Sequence, residues 1–123
     1  MRKRLMFGSL FGGALFAAVL GIAPAVEAHH GWSSYDSTNL LTLTGMVQEV
    51  TIENPHGMLQ LETPEKTWTI VLSPPSRMVR RGLPAEAITV GSEVTVEGYA
   101  HQSVEDELRA ERITVDGQTV ELR

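Results

Sequence analysis

An all-β domain is what this sequence predicts, on three observations. Apolar residues recur with period two over several short stretches. Clusters of Gly, Pro, Asn and Asp separate those stretches. Only one segment, opened by Pro74-Pro75 and closed by Gly82, carries the start and stop signals of a helix. The resulting order, three strands, a short helix and two strands, is that of a small OB-fold-like Greek-key barrel with one short helix between strands 3 and 4. A split β-sandwich is the alternative.

The chain begins outside that domain. Arg2, Lys3 and Arg4 form a positive start, Leu5 to Leu20 is apolar apart from Gly and Ser, and Pro24 breaks any helix. Val26-Glu27-Ala28 then places small or apolar residues where a signal peptidase reads, so residues 1–28 are expected to be a signal peptide and the protein periplasmic or secreted. Ala23-Pro24-Ala25 offers a second cut. The alternative is an uncleaved anchor, but the apolar run is barely long enough to span a bilayer. No stable membrane span is expected after cleavage.

Residues 29–39 read as an irregular arm pinned by Trp32 and Tyr35, and 40–123 as one barrel domain. Leu41, Leu43 and Val47 alternate with Thr42, Thr44 and Met46, then Val50 and Ile52 are apolar on the opposite parity. Such a switch inside one strand predicts a bulge that lets it serve two sides of a barrel. Asn54-Pro55-His56-Gly57 is a turn. Met58 to Thr63, with Leu59 and Leu61 inward, is the second strand, and Trp68, Ile70 and Leu72 mark the third. The helical turn runs from Ser73-Pro74-Pro75-Ser76 through Arg81, and Leu83 to Ile88 holds a further short turn. Val94 to Ala100 is the fourth strand, Gln102 to Glu107 a polar loop, and Leu108 to Val115 the fifth strand. Asp116-Gly117 turns the chain into a short sixth, Thr119 to Leu122.

Composition narrows the chemistry. The full chain of 123 residues carries a formal charge of −5. Without residues 1–28, seven Lys and Arg face fourteen Asp and Glu, a net −7. An acidic domain repels phosphate backbones, so no nucleic acid is expected as a partner. With no cysteine there is neither a disulfide framework nor a thiolate site. No nucleophile elbow, His-Glu-x-x-His or phosphate loop is present, so an enzyme has little support.

The four histidines, His29, His30, His56 and His101, carry the metal hypothesis. Cleavage after Ala28 would give His29 a free amine beside its imidazole. These two nitrogens can chelate one ion, and nitrogen-rich tetragonal sites suit Cu(II). A further imidazole would complete a T-shaped histidine brace, making copper the candidate cofactor; otherwise the pair belongs to an inert polar arm. His56 sits on a tight turn. His101 ends the fourth strand, in the loop that frames the same OB surface as the His56 loop, so the two are expected near one pole. Asn54, Trp32, Arg77 and Arg81 are candidate ligand contacts. Arg77, Arg80 and Arg81 share a helix face, able to hold an anion but expected to pair with surface carboxylates. Glu105-Asp106-Glu107 reads as a solvated loop, with a cation site beside His101 as the alternative. Trp32, Trp68 and Tyr99 are expected to fill the core.

His29-His30-Gly31-Trp32-Ser33-x-Tyr35-Asp36, Gly45-x-Val47, Asn54-Pro55-His56, Ser73-Pro74-Pro75-Ser76-Arg77, Arg81-Gly82-Leu83, Gly98-Tyr99 and Arg109-Ala110-Glu111 together resemble a family of small exported bacterial proteins of unknown function. The resemblance spans essentially all of the chain after residue 28. It implies a periplasmic β-domain and carries no activity with it. Two functions follow as expectations. The first is a periplasmic copper-like metal-binding accessory protein. The second is a metal-free module binding a periplasmic protein partner or small ligand.

Overall fold

A computed structural model describes residues 31–123 of the chain. The expected signal peptide and the pair His29-His30 lie outside the described residues. Within them the elements are β1 (Leu41–Thr51), β2 (Met58–Glu62), β3 (Thr67–Val71), α1 (Pro75–Arg80), β4 (Glu93–Ala100), β5 (Glu107–Val115) and β6 (Gln118–Glu121), with 3-10 turns at Trp32–Ser34 and Ala85–Ala87. The strands form one sheet in the order β3-β2-β1-β4-β5-β6, and β3 also pairs with β5. That last pairing is parallel, Thr69 to Glu107 through Val71 to Arg109, while the others are antiparallel. It closes five strands into the expected barrel, leaves β6 as an added strand, and removes the sandwich alternative.

The parity switch in β1 is a register shift between Val47 and Glu49. Before it, Leu41 to Met46 pair with β4; from Met46 onward the strand pairs with β2. One long strand thereby serves both sides of the barrel, as bulge geometry permits. Two glycines allow the tight packing this demands. A Cβ on Gly45 would lie 2.2 Å from the Glu62 carbonyl oxygen, and one on Gly98 2.1 Å from that of Arg109. Neither obstacle is a side chain that can swing away.

Inward positions fill the barrel: Val47, Leu59, Leu61, Ile70, Leu72, Val94, Val96, Leu108, Ala110 and Ile113 are buried. Met78 on α1, with Leu83 and Ile88, closes one end. Pro75 starts α1 because the first helical turn has no use for its missing N–H. Gly82, at φ 97°, ends it. Asp116 and Gly117, both at positive φ, make the two-residue turn between β5 and β6. Trp68 packs against the core as expected. Trp32 does not, for reasons its neighbours supply below.

Gly45→Ala and Gly98→Ala are each expected to lower stability by about 2–3 kcal/mol, since a methyl group forced onto backbone must move a strand. Urea unfolding measures this; a loss below about 0.5 kcal/mol for both would show that the close approaches are not constraints.

Candidate functional site

The arm that follows Gly31 is built onto the barrel rather than swept free of it. Tyr35 bridges to His101, and the Asp36 N–H donates to the Ala100 carbonyl (2.9 Å), so the arm extends the edge beyond β4. Tyr35 is 3% exposed, and its hydroxyl donates to the Glu107 carboxylate. Burial, and then that bond, raise the Tyr35 pKa above the ordinary tyrosine range. Asp36 accepts from the Thr38 hydroxyl (2.6 Å) and N–H (3.1 Å), which hold its carboxyl below its usual pKa and turn the chain toward β1.

Two guanidinium groups lie over the Trp32 ring. The Arg109 guanidinium is 4.5 Å from its ring centroid and that of Arg123 is 4.3 Å away. Tyr99 meets the ring edge-on at 6.2 Å, and Tyr35 is tilted at 6.4 Å. The expectation that Trp32 and Tyr99 fill the core is thus corrected. Residues on alternate positions of β5 point outward, so Arg109, between inward Leu108 and Ala110, offers its charge to the outer face, where an indole gives a cation–π partner. Burial, reinforced by Arg77 and Arg123 nearby, lowers the Arg109 pKa.

His101 is 9% exposed, its ring edge-on to Tyr35 with centroids 5.0 Å apart. Its Nδ1 accepts from the N–H groups of Ser103 and Val104, both at 3.0 Å. That nitrogen shapes the β4–β5 loop, and any ligand role is left to Nε2. His56 stands elsewhere. The Asn54-Pro55 peptide is cis, and Gly57 continues the β2–β3 pairing by bonding to Ser73 and Leu72. A Cβ at Gly57 would touch Ile52, Leu72 and Met78, so position 57 faces the core, while His56 beside it is half-buried with its Nδ1 shielded from solvent.

The two histidines therefore do not share a pole. His56 lies beside Ser73 at the end of β3, whereas His101 bonds to Glu107, whose β3 partner is Thr69. Four residues along β3 and three strand spacings separate them, on the order of 20 Å over the barrel surface. Metal–imidazole bonds of about 2 Å cannot bridge that gap. Parallel pairing of β3 with β5 puts the two loops at opposite ends of β3, a consequence the strand order alone leaves easy to miss. Among the described residues no group of three His, Asp or Glu side chains could hold a metal ion.

The helix arginines also differ from expectation. Arg81 donates to the main-chain oxygens of Glu121 (2.9 Å) and Arg123 (3.0 Å), and Arg77 to that of Leu122 (3.4 Å), rather than to carboxylate side chains. The acidic run is only partly solvated: Asp106 pairs with Lys66 at 2.9 Å and Glu107 receives Tyr35. Among the described residues no helix is long and apolar enough to cross a membrane.

The profile of a family of unknown function, DUF6152, matches residues 17–108, about three quarters of the chain. The chain belongs to that family. No curated protein matches the sequence. Solved structures with a similar trace include apo TiaS, a tRNA agmatidine synthetase, at 21% identity over 65% of this chain and 18% of that one, with a TM-score of 0.49. A TiaS mutant lacking its ZRD, in complex with agmatine, matches at 21% identity over 72% of this chain and 25% of that one, again with a TM-score of 0.49. The chain thus spans about a fifth to a quarter of those structures, and nothing of their activity transfers to DUF6152 at this similarity.

Tyr35→Phe is expected to cost about 2 kcal/mol at pH 7, because it leaves the Glu107 carboxylate without its donor. A raised folded-state pKa stabilises fully below the unfolded value near 10 and loses that contribution as pH climbs toward the folded one. The gap between the wild type and Tyr35→Phe should hold from pH 7 to 9 and narrow above 10. Urea unfolding across that range checks it; a gap that widens with pH would contradict the assignment.

Proposed function

We propose that the protein is an exported metal-binding accessory protein of copper type, with His29 and His30 at the start of the mature chain as its ligands and His56 as the third imidazole. The observation that supports it is the anchoring of the arm. Trp32 and Tyr35 are fixed on the outer face of the barrel, and a chelating N-terminus needs such a fixed base if a third ligand is to find it. The length of the chain alone keeps His29 within about 10 Å of Trp32. His56 lies half-buried just before β2, on the neighbouring strand pair. His101 leaves the ligand set, because its Nδ1 serves the loop and its strand position is remote from His56.

In this reading cleavage after Ala28 creates the site. The His29 amine and ring would supply two nitrogens and His56 a third, a set suited to Cu(II). No residue is assigned a catalytic role, and the protein carries or presents the ion.

The test is titration of Cu(II) into the protein beginning at His29, with EPR as the readout. A submicromolar site with nitrogen hyperfine structure is expected. One extra residue before His29 should weaken it at least tenfold, as should His56→Ala. His101→Asn, which keeps an acceptor for the loop, should leave it unchanged. Binding weaker than micromolar would sink the proposal, and equal binding by the extended chain would remove the amine from it.

A further inference from the structure

We propose a second site, independent of any metal: an oxyanion-binding face made by Arg77, Arg109 and Arg123 around Trp32, taking a ligand that carries a phosphate or carboxylate group. From residue 29 onward the chain holds fourteen acidic residues and only seven Lys and Arg, yet four of those seven are linked at one place. Arg81 holds the Arg123 main-chain oxygen, Arg77 holds that of Leu122, and Arg77 and Arg123 both lie near enough to Arg109 to act on its charge. An acidic domain that gathers its cations on one face separates its charge for recognition, since dispersal among the carboxylates would lower their mutual repulsion.

Geometry supplies the rest. The indole of Trp32 holds two guanidinium groups on its ring at 4.5 and 4.3 Å, which fixes two planar donor forks that match an oxyanion. The acidic groups beside them are few and engaged: Glu107 accepts from Tyr35, and Glu111 meets Arg123 at 3.4 Å. Ser73 adds a neutral donor. It continues the outward parity of Thr69 and Val71, next to the strand carrying Arg109, and its buried hydroxyl makes no hydrogen bond among the described residues. A phosphate or carboxylate group bound here would divide its oxygens among these guanidinium groups, with the Ser73 hydroxyl as a neutral donor beneath them.

The experiment uses the whole secreted protein with Trp68→Phe, leaving Trp32 as the reporter, since the chain has two tryptophans. Sodium phosphate and sodium citrate are titrated at constant ionic strength set with chloride, with no metal present, and Trp32 emission is followed. A saturable change with either anion is expected. Response to phosphate alone identifies a phosphate-bearing ligand, and response to citrate alone a carboxylate-bearing one. Arg123→Ala should weaken binding about tenfold and Arg123→Lys nearly as much, because the ammonium lacks the planar fork. Lys66→Ala, which removes the same charge at the end of β3 opposite Ser73, should change affinity less than twofold. No saturable response up to tens of millimolar would overturn the proposal. So would equal weakening by Lys66→Ala and Arg123→Ala, which would reduce the effect to general charge.

Discussion

Three residue pairs join β3 to β5, Thr69 with Glu107, Ile70 with Leu108 and Val71 with Arg109, and most of what is distinctive in this protein depends on them. The middle pair faces inward and is wholly buried, so closure of the barrel and completion of the core are one event. The outer pairs place Glu107 and Arg109 side by side on the surface. Glu107 holds Tyr35 and Arg109 holds Trp32, so the seam that closes the barrel is also the surface on which the arm is docked. Strand alternation does this without extra machinery: one parity seals, the other anchors.

Much of that scaffold was legible in the sequence. The alternation of Leu59 and Leu61, and of Trp68, Ile70 and Leu72, fixes inward faces. The change of parity after Val47 announces the bulge, and Asp116-Gly117 and Gly82 mark their turns through the φ angles they accept. The arm contacts were not legible, because they are isolated meetings between residues more than 60 positions apart and leave no period. Trp32 has the look of a core residue until Arg109 and Arg123 are known to lie over its ring. His101 has the look of a ligand until its Nδ1 is seen to hold the backbone of its own loop. The separation of His56 from His101 follows from a parallel pairing that strand order permits but does not display.

Charge is organised as carefully as apolar surface. Arg112, in the middle of β5, reaches Glu97 on β4 and Glu121 on β6, both at 2.8 Å, and these bonds raise its pKa. Such pairs, still open to solvent in part, contribute little stability each, but they favour one register across three strands. Lys66 does similar service between loops, lying over the Trp68 ring at 4.2 Å while paired with Asp106. Arg77, Arg81, Arg109 and Arg123 gather where the arm, α1 and the last strand meet, which sets their charge apart from the acidic rest of the domain.

The bonds from α1 to the end of the chain have a consequence for crowding. β6 is paired on one side only, and a half-paired strand is a template on which a second molecule can grow a sheet. Leu122 bonds inward to Glu111, so the carbonyl of Glu121 points to the open side, where Arg81 already occupies it. An incoming strand would have to displace a guanidinium before gaining its first hydrogen bond. The same helix that plugs the barrel thus blunts the sheet's exposed margin, through Arg81 at Glu121 and, one residue on, Arg77 at Leu122.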